Sequence, residues 1–563
     1  MLPLRQCLLD TYVVHLRAIA GFWGIELTAR RQREMALELA EAMVSPEAVT
    51  RVWKALPSEQ QEALRELIAA DGRMPQRVFA RRWGEIRAMG PGKMERERPW
   101  REPVSPAEGL WYTGLIFRTF EQGPDGTYGA IIVPSELHAS LPVAEVGQPR
   151  IVLEPATEPA IVRSLGDYVL DDTCTLLSYV QTERPRLRSN QRWPEQHEQA
   201  LRCRLRIQDP GYFALLGHVS SAIGWLLEDK TGRLRLQPEP VTAWLRSAPF
   251  DQQRTVARAW LEDSTWNDLF HIPALHPEDT GAWRNDPVLA RRAVLQHLES
   301  CRPDTWYGLN DLVTAIKHVD ADFQRPDGDY ESWYIRDEAT GVYLSGFGSW
   351  DAVEGRLIRY LIRKALAWLG LVDLGAEGDS HPPSVFRLSG RGAALLELAE
   401  PTASPEGPPA HLQSGFRVAV PDARRYERFQ LARVADWLQS GSPFFYRLTP
   451  SSLERARGQG IPVTRVLEFL GDLIEAPVPR SVEAALTRWD ARGAEARLER
   501  VVVMRISSEE LLDQVIASPA LGRLIGERLG PTSVTVRSQD CEKVIGALGE
   551  MGILPEVDDL TAA

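Results

Sequence analysis

Arginines in a short connector near the start of the chain have the residue type and spacing that suit phosphate groups. An apolar helix face ends at Gly24, the connector carries Arg30, Arg31 and Arg33, and a second amphipathic helix follows. Arginine donates paired hydrogen bonds to phosphate, and such contacts supply most of the affinity of sequence-independent nucleic-acid binding. Two interpretations are open: the connector contacts a phosphate backbone, or it is only the solvated corner of a helical hairpin.

A second cationic set lies in "VEGRLIRYLIRKALAWL". Arg356, Arg359 and Arg363 recur at helical spacing, with Lys364 beside them. A helix that enters the DNA major groove needs a basic outward face, because the duplex is densely charged. The stripe predicts a DNA-facing helix, and the alternative is a plain solvated face.

A third basic run has a different character, since prolines and polar residues interrupt it. It comprises Arg184, Arg186, Arg188, Arg192, Arg202, Arg204 and Arg206. The composition predicts an exposed loop. A flexible loop loses conformational entropy when it binds, so charge reversal at Arg356, Arg359 and Arg363 is expected to weaken DNA binding more than reversal at the first three of this run.

Carboxylates cluster between residues 320 and 338, where a metal-dependent nuclease would need them. The members are Asp320, Asp322, Asp327, Asp329, Glu331, Asp337 and Glu338. Pro326 and Asp327 stand where a calcium-binding loop requires glycine, so the cluster predicts an exposed solubilising loop. The five cysteines are far apart and form no C-x-x-C pair, which disfavours zinc and disulfides. We expect neither a metal nor another cofactor.

The overall charge limits any nucleic-acid contact to local patches. The chain has 65 Lys+Arg against 77 Asp+Glu, a net charge of −12. A protein that coats nucleic acid with its whole surface would carry the opposite sign. The sequence shows no signal-peptide core and no uninterrupted apolar run that could span a bilayer, so a cytoplasmic protein without a membrane partner is expected.

The elements that would position these residues follow a repeated order. Ser58 begins a capping box, and two further short helices precede the strand pair "LIFRTFEQGPDGTYGAIIVP". Three helices followed by a hairpin is the order of a winged helix, an elaborated helix-turn-helix. The same plan predicts three winged-helix-like units, at residues 45–142, 150–245 and 286–398.

The chain changes character after the third unit. Residues 399–415 are rich in Pro, Gly and Ser and predict a linker. Beyond it, residues 416–557 give helices and then alternating strands and helices. The predicted fold class is therefore α+β and mainly helical, with tandem winged-helix-like units and a small C-terminal α/β domain.

The C-terminal motifs carry a resemblance to a known family. The series "YRLTPSSLERARGQGI", "VLEFLGDL", "PVPRSVEAALTRWDARG" and "VVVMRISSEELLDQVIASPALGRLIGERLG" resembles the helicase-associated domain at the N-terminus of XPB-type DNA helicases, over roughly residues 412–556. Residues 1–44 resemble a SAP-type DNA-binding hairpin, in which the connector would face phosphates. These resemblances imply DNA as a partner, together with a helicase or another repair or transcription protein.

A helicase motor is missing from the sequence. ATP hydrolysis needs a G-x-x-x-x-G-K-[ST] loop to cradle the phosphates. The nearest string, "GPGKMERE" at residues 90–97, lacks the glycine spacing and the hydroxyl after Lys93. The sequence thus predicts a non-enzymatic DNA-binding or helicase-associated accessory protein in repair or transcription-linked remodelling. The alternative is a protein-interaction scaffold without DNA contact.

Overall fold

The structure, a computed structural model, describes residues 2–123, 126–142, 150–188, 192–281, 283–402, 407–492, 502–537 and 540–556. The chain forms two compact units. The larger comprises Met1–Arg447 and Leu473–Glu475, and the smaller comprises Leu448–Asp472 and Ala476–Ala563. About 50% of the residues are helical and 14% lie in strands, which confirms the mainly helical α+β class. In the described ranges no helix combines the length and apolarity needed to cross a bilayer.

The larger unit begins with helices that share one core with the strands that follow them. The first helices are α1 (Leu4–Leu9), α2 (Val13–Trp23), α3 (Gln32–Met43), α4 (Pro46–Ala55) and α5 (Ser58–Ala69). Buried Trp23 donates a hydrogen bond from its indole to the carbonyl of Thr113, 2.8 Å away. The hairpin predicted at residues 1–44 therefore packs directly on the segment after it, and their apolar side chains form a single cluster.

The first repeated arrangement, here module 1, follows from α5 onward. Its further elements are β1 (Arg73–Pro75), α6 (Gln76–Trp83), α7 (Pro91–Glu97), α8 (Pro106–Tyr112), β2 (Phe117–Gly123), β3 (Gly126–Ile132) and α9 (Ser135–Ser140). Ser105 caps α8 by accepting from the Glu108 backbone N–H. The strands are ordered β1-β3-β2, all antiparallel. In the predicted Pro-Asp-Gly turn, Pro124 and Asp125 lie outside the described residues.

Module 2 is built from three helices and a short hairpin. After β4 (Ile161–Arg163) come α10 (Tyr168–Glu183), α11 (Glu195–Arg202), α12 (Pro210–Ala222), β5 (Leu226–Glu228) and β6 (Leu234–Leu236), followed by α13 (Pro238–Arg246) and α14 (Pro249–Glu262). Asp209 caps α12, with its carboxylate accepting from the backbone N–H groups of Gly211 and Tyr212.

Module 3 has a longer hairpin than module 2. Its elements are β7 (Leu275–Pro277), α15 (Pro287–Leu298), β8 (Tyr307–Gly308), α16 (Leu309–Val319), β9 (Ile335–Asp337), α17 (Trp350–Tyr360), β10 (Val372–Ala376), β11 (Val385–Leu388) and α18 (Gly390–Leu395). A π-helical segment, Leu361–Leu366, continues α17. The sheet order is β4-β10-β11-β8, and modules 2 and 3 share one apolar core.

The described residues of all three modules have a β-pairing that the sequence did not predict. The segment between the first and second helices pairs with the second hairpin strand in modules 1 and 3, β1 with β3 and β8 with β11, and in module 2 Arg186 forms a bridge with Arg233, just before β6. These pairings involve one to three residues, too few for an alternating apolar pattern to be recognised.

Residues of the predicted linker and of the predicted C-terminal domain belong to the larger unit. They form β12 (His411–Gln413), β13 (Arg417–Val420), α19 (Arg425–Leu431), β14 (Asp436–Gln439) and β15 (Phe444–Arg447), ordered β12-β13-β15-β14. The boundary expected at residue 416 thus precedes the division at Leu448. Buried Arg425 accounts for this, because its guanidinium lies 2.9 Å from the carboxylate of Asp171 in α10. Residues 403–406 of the predicted linker lie outside the described ranges.

The smaller unit contains helices and a three-stranded sheet. Its elements are α20 (Pro450–Gly458), α21 (Val463–Ile474, whose last two residues group with the larger unit), α22 (Arg480–Arg492), β16 (Val502–Arg505), α23 (Glu509–Ala517), β17 (Ile525–Gly530), β18 (Ser533–Val536) and α24 (Cys541–Glu550). Thr449 and Ser452 form a capping box at α20. The strands are ordered β16-β18-β17 over a core that includes Val515, Val536 and Leu548.

Candidate nucleic-acid interface

The three arginines predicted in the connector are exposed, but Arg33 lies in the first turn of α3 and only Arg30 and Arg31 precede that helix. The Arg31 side chain is 85% accessible beside Glu34 at 3.9 Å. The connector is held from behind by Glu38, whose carboxylate accepts from backbone N–H groups at 2.9 and 3.0 Å. Those hydrogen bonds lower the pKa of Glu38. The three cations are therefore available to an external anion, and both interpretations of the connector remain predictions.

The stripe on α17 is placed differently from the connector. The Arg356 guanidinium lies 2.8 Å from the carboxylate of Asp337 and also donates to the carbonyl of Ala274 at 3.1 Å. The hydrogen bond from Arg356 lowers the pKa of Asp337. At the other end of the stripe, the Lys364 ammonium lies 2.8 Å from the carboxylate of Asp209, the cap of α12. Both cations are half-buried and neutralised by the protein itself.

The middle of the stripe is also turned toward protein atoms. Arg359 donates to the side-chain oxygen of Asn310 at 3.1 Å. Arg363 is half-buried, and desolvation, followed by repulsion from Arg359, lowers its pKa. The π-helical segment from Leu361 onward changes the angular spacing of the stripe. A prediction based on 3.6 residues per turn therefore could not place Arg363 and Lys364 correctly relative to the first two cations.

The acidic cluster supplies partners for arginines instead of forming an exposed loop. Asp322 forms an ion pair with Arg81, and Asp329 lies 2.9 Å from the guanidinium of Arg77. Burial raises the pKa of Asp322. The interpretation as an exposed solubilising loop was therefore wrong for these positions, because α6 of module 1 packs over them. Among the described residues no group of three or more potential ligands could hold a metal ion.

The structure divides the third basic run into an inner and an outer part. Arg206 lies 2.8 Å from Asp171 and stacks on the ring of Tyr168, 3.7 Å from its centroid. Arg204 stacks on the rings of Tyr179 and Trp437. These two arginines stabilise packing within the larger unit.

The outer part of the run is exposed but is held by a strand. Arg184, Arg186 and Arg188 face solvent, while Arg186 forms an antiparallel bridge with Arg233. Sequence reasoning missed Arg233 and its neighbour Arg235, because they lie more than 40 residues further along the chain. The only available signal was the recurrence of arginine at every second position in both segments, which is the spacing of one strand face.

Comparison with known proteins identifies one segment. A family described as "Helicase conserved C-terminal domain" matches residues 412–530, which extend from β12 to the end of β17. No curated protein matches the chain. The C-terminal segment is therefore similar to a helicase-associated domain, in agreement with the coarser part of the resemblance that the sequence motifs imply.

Proposed function

We propose that this protein is a non-enzymatic DNA-binding or helicase-associated accessory protein. The match of residues 412–530 to a helicase conserved C-terminal domain carries the proposal. Because the matched family is described as a helicase domain, the match supports nucleic acid as a partner of this chain. The exposed arginines of the connector and of residues 184–188 offer phosphate ligands at separate places on the larger unit.

The architecture of the modules supports the DNA-binding part of the proposal. Apart from the added α7 in module 1 and β9 in module 3, each module has three helices and a hairpin, and the segment after its first helix pairs next to or within the last strand. This order is that of a winged helix, a variant of the helix-turn-helix whose recognition helix lies in the major groove. We therefore interpret modules 1 to 3 as tandem winged helices.

The finer assignment concerns the type of helicase. The capping box at Thr449, the helices α20 to α22 and the β16-β18-β17 sheet correspond to the motif series that resembles the N-terminal domain of XPB-type helicases. This correspondence supports an XPB-related accessory role in DNA repair or transcription-linked remodelling.

The non-enzymatic part of the proposal rests on the sequence. It contains no G-x-x-x-x-G-K-[ST] motif, so a triphosphate would lack the loop and lysine that neutralise it in P-loop motors. Incubation of the purified protein with ATP, Mg²⁺ and forked DNA should release no phosphate above a heat-inactivated sample. Turnover above that background would overturn this part of the proposal and leave DNA binding intact.

A protein-interaction scaffold is the second candidate, and specific observations favour it. The net charge is −12, and the most regular cationic stripe is occupied by Asp337 and Asp209. A scaffold would need no free cations on its helices.

A titration separates the two functions. Fluorescence anisotropy with single-stranded, duplex and forked DNA, each at two salt concentrations, should give saturable binding that weakens with salt, because bound cations release counterions from DNA. Absence of binding to all three forms at the lower salt concentration would reject the DNA-binding function and favour the scaffold.

A further inference from the structure

Residues distant in sequence form one basic surface in module 2, which we call the arginine ribbon. Its first segment, residues 184–188, begins at Arg184, the left-handed C-cap of α10, and its second contains Arg233 and Arg235. Two backbone hydrogen bonds join them: Leu187 N–H to the carbonyl of Gly232 at 3.0 Å, and Leu234 N–H to that of Pro185 at 2.9 Å. The first segment is an exposed loop, as expected from the sequence, but a β-bridge between Arg186 and Arg233 joins it to the hairpin.

The alternation of side chains along the two extended segments puts Arg186 and Arg188 on one face with Arg233 and Arg235. Pro185 and Leu234 are buried, and Leu187 packs against the core. Successive side chains of a strand point to opposite faces, so the arginines at every second position face solvent together. Neighbouring cations on one segment are ~7 Å apart, and Arg186 stands directly opposite Arg233.

The carboxylates near the ribbon do not cancel its charge. Residues 183–192 and 228–235 contain seven cationic side chains and three carboxylates, Glu183, Glu228 and Asp229. Asp229 accepts hydrogen bonds from the backbone N–H groups of Thr231 and Arg233, at 2.8 and 3.1 Å, and therefore closes the turn. It also contacts Arg235, whose side chain is still 62% exposed. The ribbon keeps a net positive charge on an acidic protein.

The side chains around the ribbon identify the form of nucleic acid. Proteins that bind single strands stack bases on exposed aromatic rings, but Leu227 is the only large apolar side chain exposed in the described part of residues 168–236. The exposed positions of α12 include Ala214, Ser221 and Ala222, which offer no long polar group for paired hydrogen bonds to base edges.

We propose that the arginine ribbon is a binding site for the sugar–phosphate backbone of double-stranded DNA and that it does not read base sequence. The inference rests on the proposed function, since both require this chain to bind DNA. It adds the site, the form of the nucleic acid and the absence of base recognition. It also reverses the ranking expected from sequence, which favoured the cations of α17.

Two matched triple variants test the ribbon in the full chain. The ribbon variant is Arg186→Gln, Arg188→Gln and Arg233→Gln. The control variant is Arg258→Gln, Arg292→Gln and Arg302→Gln, which removes the same charge from exposed positions elsewhere. We expect the ribbon variant to bind duplex DNA ~10-fold or more weakly, and its slope of log affinity against log salt to fall by about 2 to 3, since each phosphate contact contributes about 0.9.

The control variant should keep the wild-type affinity within about twofold and the wild-type salt slope. If the ribbon variant matches the control while the wild type binds DNA, the ribbon inference is rejected and the proposed function survives. If the wild type binds no DNA form, both are rejected.

Folding and specificity have separate readouts. Thermal unfolding should be cooperative for both triple variants. If the ribbon variant does not fold, two milder variants test the site in its place. They are the lysine triple Arg186→Lys, Arg188→Lys and Arg233→Lys, and the single change Arg188→Gln. The lysine triple should keep most of the salt slope, and the single change should lower it by about 0.9. A single change without any effect on slope would reject the site.

Two duplexes of equal length and different sequence should bind within about threefold of each other, because phosphate contacts carry no sequence information. Strong preference for one duplex would overturn the absence of base recognition. A single strand of that length should bind more weakly than either duplex, and tighter single-strand binding would overturn the assignment of duplex DNA.

Discussion

The stripe on α17 and the arginine ribbon have similar charge but opposite environments. Arg356 and Lys364 end at carboxylates of the same unit, whereas Arg186 and Arg188 point to solvent from an extended segment whose other face is buried. The helical spacing of the stripe made it the better candidate in the sequence. Regular spacing therefore shows only that cations share a face. The elements packed beside that face determine whether its cations are free.

The difference has a physical basis in the acidic residues that each region meets. Module 3 brings Asp337, and the cap of α12 brings Asp209, to within 2.8 Å of the stripe. A phosphate would have to displace these carboxylates from cations that are already partly desolvated. At the ribbon, Asp229 closes its own turn and contacts Arg235, while Arg186 and Arg188 face solvent, where a bound phosphate would replace water.

The largest expected effect is on the free energy of unfolding, and it concerns arginines that pair with a buried carboxylate. The buried carboxylate of Asp171 contacts Arg206 and Arg425 at 2.8 and 2.9 Å. Asp171→Asn should lower the free energy of unfolding by ~3–5 kcal/mol, because it removes a buried counter-charge and leaves Arg206 and Arg425 only the more exposed carboxylates of Asp422 and Asp167. Denaturant unfolding measures this, with Asp251→Asn, which changes the half-exposed partner of Arg254, as control. A loss of unfolding free energy below about 1 kcal/mol would mean that other groups compensate the charge of the arginines around Asp171.

The second effect is a dependence of stability on pH, and it concerns His15 in α2, the helix that precedes the connector. Burial lowers the pKa of His15 to about 4, while the carbonyl of Trp111 accepts a hydrogen bond from its Nε2. Below the unfolded pKa of ~6.5 the unfolded chain binds a proton that the folded chain refuses, so stability is full above pH 6.5 and is lost as the pH falls toward 4.

Between pH 6.5 and 5, the free energy of unfolding should fall by up to ~1.4 kcal/mol per pH unit through this residue. His15→Gln should remove that component of the slope, even though it lowers stability at neutral pH. Equal slopes for the two proteins, measured by urea unfolding at several pH values, would contradict the assignment to His15.

A smaller effect is expected at the stripe and would sharpen the contrast with the ribbon. Arg356→Gln together with Lys364→Gln removes two half-exposed ion pairs, so unfolding should become easier by no more than ~1 kcal/mol per pair. Duplex-DNA affinity and its salt slope should stay at the wild-type values. If this double variant weakens binding more than the ribbon variant does, the original ranking from the sequence is correct.

The smallest effect is expected at the connector. Arg30→Gln, Arg31→Gln and Arg33→Gln change exposed side chains, so stability should remain within ~0.5 kcal/mol of wild type. DNA affinity should fall by less than in the ribbon variant. A salt slope reduced by about 0.9 per arginine would establish the connector as a phosphate contact, and an unchanged slope would establish the solvated corner.

Local patterns in the sequence determined much of the architecture. The apolar periodicity of the helices, the caps at Ser105 and Thr449, and the alternating strands of module 1 depend on residues close together in the chain. Such interactions are encoded within a few residues, so the mainly helical α+β class could be predicted. The β-pairing that completes each module could not, because its few residues have no recognisable period of their own.

Only the tertiary structure decided which charged residues are free. Asp337 and Arg356 are 19 positions apart, Asp209 and Lys364 are 155 apart, and Asp171 lies 254 positions from Arg425. The sequence lists these residues without showing that they meet. Electrostatic attraction weakens with distance and depends on the local dielectric. Whether a cation is free or paired therefore depends on which element the fold places beside it.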